Sequence, residues 1–138
     1  MKALYTAVAT ASGDGRNGHS RSDDGVLDVD VRVPVAMGGP GGATNPEQLF
    51  AAGYAACFHS ALKVVARREK LDVDGTEVTA RVSIGDSGSG AFGLAVDLVL
   101  VAPHLDDQAA RTLLEQAHQV CPYSNATRGN IEVTLTVG

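Results

Sequence analysis

Cys57 and Cys121 are the two residues of this chain best suited to redox chemistry, and both sit in helical surroundings. Three kinds of chemistry could use them. A structural disulfide would join two helices across a long loop, but reducing compartments rarely keep such bonds. A metal site is suggested by Cys57-Phe58-His59 and by His118-Gln119-Val120-Cys121, which together offer two thiols and two imidazoles. Helical spacing counts against it. His118 and Cys121 share a face, but Cys57 and His59 point about 200° apart. The third reading is a redox pair, in which one thiol is oxidised and the other resolves it as a disulfide. Each cysteine also has a plain reading as a small core residue, since free cysteine is among the most buried types.

A peroxide-reducing cysteine acts as a thiolate and needs a cation nearby. The closest basic residue after Cys57 is Lys63, nearly two turns on, so the cation must come from elsewhere. Arg16 and Arg21 lie in or beside a glycine-rich first loop, whereas Arg81, Arg111 and Arg128 fall in regular elements or near the second cysteine. A loop arginine is the more usual recruit, and composition does not separate Arg16 from Arg21. Glu47 falls in a helix's first turn, where the macrodipole favours an acid in any case. His19 and His104 sit in loop-like sequence without an evident partner.

The elements that must position these residues follow from pattern. Tyr5 to Ala11 reads as a strand, Ser12 to Gly18 as a loop, and Val26 to Val35 as a half-buried strand with Val29, Val31, Val33 and Val35 on one face. Gly38-Gly39-Pro40-Gly41-Gly42 leads into a helix with Asn45 as N-cap, Pro46 at its first position and Gln48 placed for a capping box. The glycine run lacks the Gly-Lys-Ser/Thr ending of a phosphate-binding loop. The helix extends to about Lys70, and its first half is apolar nearly all round. So small a chain can hardly wrap such a helix alone, and a homodimer would supply the missing cover. Thr76 to Ile84 and Phe92 to Val101 read as strands, Asp106 to Cys121 as a helix stopped by Pro122, and Asn130 to Val137 as a last strand. The order β-β-α-β-β-α-β gives an α+β class with largely antiparallel sheet, in a single domain over 1–138.

Composition excludes several functions. The 138 residues carry a net charge of -5, which argues against phosphate-backbone binding and makes nucleic acid an unlooked-for partner. No run of about 18 uncharged apolar residues and no secretory signal are present, so no membrane span and a cytoplasmic location are expected. The sequon Asn125-Ala126-Thr127 is then idle.

Three segments carry a resemblance over Leu4 to Val137. They are Gly38-Gly39-Pro40-Gly41-Gly42, the stretch from Thr44-Asn45-Pro46-Glu47-Gln48 to Ala55-Ala56-Cys57-Phe58, and Cys121-Pro122-Tyr123-Ser124-Asn125-Ala126. In these the chain resembles the organic hydroperoxide resistance proteins, the Ohr branch of the Ohr/OsmC superfamily. The resemblance implies an intertwined, cytosolic bacterial homodimer with two central helices enclosed by antiparallel sheets from both chains. It implies Cys57 as peroxidatic residue, Cys121 as resolving residue, Arg16 (rather than Arg21) as the cation and Glu47 as the acid orienting it. It further implies alkyl and fatty-acid hydroperoxides as substrates, no bound cofactor, and an external dithiol reductant, dihydrolipoamide or a lipoylated protein. On one straight helix Glu47 and Cys57 would stand about 15 Å apart along the axis, so Arg16 and Glu47 are expected to serve the cysteines of the other subunit. The alternatives are an OsmC-type peroxidase acting on hydrogen peroxide, a non-catalytic redox-sensing protein, and a structural zinc protein.

Overall fold

The computed structural model describes residues 1–138. They divide into two compact units, Met1–Leu49 and Phe50–Gly138.

The first unit is a three-stranded antiparallel sheet in the order β1 (Ala9–Asp14), β2 (Asn17–Ser22), β3 (Asp28–Asp30). β1 starts at Ala9 rather than Tyr5, and it runs through residues that the sequence suggested as loop. Asp14 pairs with Asn17, leaving Gly15 and Arg16 as a two-residue hairpin turn. Gly15 takes a φ of 57°, the positive value that a type II′ turn needs at its first central position. The second half of β1, Ser12 to Asp14, reads as loop in the sequence because these small, exposed residues give no alternating burial signal. The valine-rich strand expected over Val26 to Val35 shrinks to Asp28–Asp30 with a parallel bridge from Val31 to Thr44. Pro34 has no N–H to extend a ladder, and a 3₁₀ turn, Val35–Met37, follows it. Of the four valines only Val31 is buried, and Val35 is 73% exposed. His19 lies in β2, not in a loop, with its ring bonded to Asp30 at 2.8 Å and to Asp28.

α1 (Pro46–Glu69) opens at the end of the first unit and continues through the second. Asn45 Oδ1 accepts the Gln48 N–H at 2.8 Å, as an N-cap should. The return half of the expected capping box differs: Gln48 Oε1 accepts the Thr44 hydroxyl instead. α1 ends one residue before Lys70, which turns the chain with a φ of 56°.

The second unit contains the sheet β4 (Glu77–Asp86), β5 (Phe92–Val101), β6 (Glu132–Val137), with α2 (Asp107–Val120) and a short α3 (Pro122–Thr127) between the last two strands. The chain is thus α+β, in the order β-β-β-α-β-β-α-α-β. β4 and β5 pair antiparallel, but β5 and β6 pair parallel, the one parallel pair of strands in a largely antiparallel fold. The intervening α2 and α3 supply the crossover that a parallel pair requires. Inward residues Val96, Leu98 and Leu100 of β5 cluster with Tyr54, Phe58, Ala61 and Leu62 of α1 and with Leu113, Leu114 and Ala117 of α2. α1 meets the length and mean hydropathy (1.4) of a membrane span, yet six of its residues are buried within the protein.

Candidate active site

Cys121 ends α2 and begins α3 in one extended residue, with φ -60° and ψ 124°. The sequence marked Pro122 only as a helix stop. It is equally a start, since proline suits the first position of a helix where no N–H is needed. This turn brings Cys121 Sγ to 3.5 Å from Cys57 Sγ, both as free thiols. Cys121 is fully buried, and Cys57 is partly exposed. Forming a bond of about 2.05 Å needs the sulfurs to close by only about 1.5 Å. A pairing across 64 positions is thus within reach of a side-chain adjustment.

Burial pushes the Cys57 thiol above its ordinary range, the Tyr123 backbone N–H pulls the other way, and the adjacent Cys121 sulfur adds to the rise. The second unit alone therefore favours a protonated Cys57. Tyr123 packs on α1 where Gly53 leaves room: a Cβ there would lie 3.3 Å from Tyr123 Cε2 and Oη. Phe50, Tyr54 and Tyr123 stack edgewise, with Tyr54 and Tyr123 centroids 5.8 Å apart. Beside them opens a cavity of about 430 Å³, lined mainly by Phe50, Leu94, Tyr123, Ala126 and Ile131.

In the first unit Arg16 and Glu47 form a bidentate pair, Nη1 to Oε2 at 2.9 Å and Nη2 to Oε1 at 2.7 Å. The hairpin carrying Arg16 is held by Asn17, whose Oδ1 accepts the Val33 N–H, and by Arg32, which donates to the Gly18 carbonyl. The Arg16 guanidinium holds the Glu47 carboxyl below the usual carboxylate range, and Glu47 in turn raises Arg16. Glu47 uses two of the five guanidinium N–H groups, so three remain for another ligand. Arg21 instead lies 3.8 Å from Asp28 at the surface. The tip arginine, not Arg21, is the one bonded to Glu47.

The four residues singled out from sequence thus form two pairs, Cys57 with Cys121 and Arg16 with Glu47, each within one unit. His59 turns to the Thr76 hydroxyl at 2.9 Å. His118 keeps a buried Nδ1 without a partner, and burial lowers its pKa. Sequence reasoning missed the Tyr123 N–H and the hydroxyls of Tyr54, Ser124 and Thr127, which bond to one another. The signal was Cys-Pro read as a helix start, which would have exposed α3.

Residues 39–136 match the OsmC-like protein family. The chain belongs to that family, on its organic hydroperoxide resistance branch. It is 54% identical to the organic hydroperoxide resistance protein of Xanthomonas axonopodis pv. citri, over 99% of this chain and 96% of the relative. The crystal structure of an organic hydroperoxide resistance protein from Elizabethkingia anophelis superposes with a TM-score of 0.93 at 56% identity, covering 100% and 99% of the two chains. That of OhrB from Bacillus subtilis gives 0.89 at 49%, covering 99% and 100%.

Proposed function

We propose that this chain is a thiol peroxidase that reduces organic hydroperoxides to alcohols, with Cys57 as the attacking thiol and Cys121 as the resolving one. The observation that carries the reading is the 3.5 Å approach of a partly exposed and a buried free thiol. The names of the relatives, organic hydroperoxide resistance proteins, support the substrate class.

In the cycle, Cys57 thiolate attacks the distal peroxide oxygen, the O–O bond breaks and the alcohol leaves, giving a Cys57 sulfenic acid. Cys121 then displaces water to form the disulfide. An external dithiol, dihydrolipoamide or a lipoylated protein, takes up the oxidation and restores both thiols. No bound cofactor takes part.

An ordinary thiol of pKa about 8.5 is a few per cent ionised at neutral pH. Full ionisation gains roughly 30-fold, about 2 kcal/mol. Burial of Cys57 makes the starting point worse, so a cation is needed twice: to hold the thiolate and to stabilise charge on the departing alkoxide. Arg16, oriented by Glu47 and keeping free N–H groups, suits that task. Glu47 and Cys57 are ten residues apart in α1, about 15 Å along a helix axis, so we assign Arg16 and Glu47 to the cysteines of a second copy. The exposed Leu4, Tyr5, Val8, Val26 and Val35 of the first unit support a homodimer, because nothing within that unit covers them. A cytoplasmic location fits two reduced thiols.

The test is turnover of an alkyl hydroperoxide by the purified protein, with dihydrolipoamide compared against thioredoxin. Sustained turnover with dihydrolipoamide is expected. Steady-state activity surviving Cys57→Ser would overturn the reading.

A further inference from the structure

Three buried hydroxyls join α1 to α3. Tyr54 is fully buried, and its phenol oxygen lies 2.8 Å from Ser124 Oγ and 3.1 Å from Thr127 Oγ1. Thr127 Oγ1 also donates to the Ser124 carbonyl at 3.2 Å. The placement follows the two sulfurs: Tyr54 stands three residues before Cys57, and Ser124 three residues after Cys121. Each is therefore about one helical turn from a reacting atom. On its far side α3 is tied to α2, because Arg128 donates to the His118 carbonyl and to Asn125 Oδ1.

Stability alone gives no reason for this arrangement. A phenylalanine in place of Tyr54 and an alanine in place of Ser124 would fill nearly the same space, and replacing both partners of a buried hydrogen bond can be close to neutral. What the hydroxyls add is direction, since a hydrogen bond weakens steeply with angle whereas apolar packing tolerates sliding. The bond from Tyr54 to Ser124 fixes the rotation of α3 against α1, and α3 carries both the Tyr123 N–H on Cys57 and the backbone of Cys121.

We infer that Tyr54, acting with Ser124 and Thr127, is a positioning residue for the second chemical step, the closure of the disulfide. The inference rests on the peroxidase reading above. In that step Cys57-S-OH and Cys121-SH combine. The S–S bond forms, the S–O bond breaks, and the hydroxyl leaves as water with the Cys121 proton. The competing fate is attack of the sulfenate on a second hydroperoxide, which gives a sulfinic acid. The first step uses Cys57, the peroxide and the Arg16 cation but no atom of Cys121, so it does not depend on where Cys121 stands. Loosening α3 should therefore slow closure far more than the first step, which α3 touches only through the Tyr123 N–H.

The experiment compares the reduced full chain with Tyr54→Phe and with the double variant Tyr54→Phe/Ser124→Ala, which leaves no orphaned hydroxyl on Ser124. Each is mixed with increasing cumene hydroperoxide in one turnover without reductant, and mass spectrometry counts disulfide against Cys57 sulfinic acid. The first-step rate should stay within about twofold. The hydroperoxide concentration that gives equal amounts of the two products should fall on the order of tenfold, as small misplacements do to reacting groups. Leu98→Ala, a core change away from the hydroxyls, serves as the control. It should lower thermal stability without moving this partition, which a merely structural role for Tyr54 would not do either. An unchanged partition in either folded variant would overturn the inference, and the double variant decides the matter if the single one fails to fold. If the unaltered chain forms neither product, the peroxidase reading falls and this inference with it. A wild-type disulfide with unshifted variants sinks only the positioning role.

Discussion

The two units hold their reactive groups on different foundations. In Phe50–Gly138 the thiols are set against a continuous apolar core that includes Leu98, Leu113 and Phe58. In Met1–Leu49 the Arg16–Glu47 pair belongs to a unit whose only buried apolar residue is Val31. Sulfur chemistry within the second unit needs the two sulfurs held about 1.5 Å short of bonding, which a packed interior provides. A guanidinium acts over a longer range, and a hairpin pinned by a bidentate acid is enough to aim it. The contrast extends to electrostatics and cover: burial in the cored unit raises the pKa of Cys57, whereas Leu4, Tyr5, Val8 and Val26 of the other unit stay exposed.

Removing the nucleophile should have the largest effect. Cys57→Ser should reduce hydroperoxide turnover to background, while Cys121→Ser should still consume one equivalent of peroxide and then stop, read by peroxide consumption with and without dihydrolipoamide. Next comes the foundation of the second unit. Leu98→Ala should cost about 2–5 kcal/mol in urea denaturation. In the same measurements the wild-type midpoint should rise with protein concentration, as it does when association supplies cover. A midpoint independent of concentration would break the account of the first unit.

Arg16→Ala sharpens the electrical side of the contrast. It should lower kcat/KM on the order of a hundredfold and leave Cys57 titrating above the ordinary cysteine range, followed by thiolate absorbance. Because the thiol pKa is raised, the residual rate should then climb with pH through the alkaline range. An unaltered thiolate titration in Arg16→Ala would mean that the two pairs do not cooperate.

The smallest effect is on stability against pH. The folded Glu47 carboxyl is held low, chiefly by its bonds to Arg16. Its contribution is complete above the unfolded carboxylate value of about 4.3 and is lost as pH falls through the lower folded value. The difference in urea midpoint between wild type and Glu47→Gln should therefore shrink on acidification below that value. Parallel loss in both proteins would show that the pair adds nothing to folding.

Much of the second unit was legible in the chain. β5 has the expected limits and α2 is bounded by Asp106 and Cys121 as expected, while α1, opening on Asn45-Pro46 at the end of the first unit, was equally plain. These elements announce themselves through caps, proline positions and long apolar patterns. The first unit was read less well. The second half of β1 hid among small exposed residues, and the alternating valines promised a longer strand than Pro34 permits. His19 found Asp28 and Asp30 across strands that a one-dimensional reading cannot align.

By itself the sequence offered two thiols as candidates for chemistry, pointed to Arg16 and Glu47 through its resemblance to the Ohr proteins, and determined the helix that carries Glu47 and Cys57 and the helix that ends at Cys121. Those rest on local rules, because caps, prolines and apolar periods act within a few residues. Only the tertiary structure decided that the sulfurs meet at 3.5 Å, that Arg16 rather than Arg21 is tied to Glu47, and that a three-hydroxyl bond set links α1 to α3. Contacts across 31, 64 and 70 positions depend on how helices and strands pack, and local preference carries no information at that range.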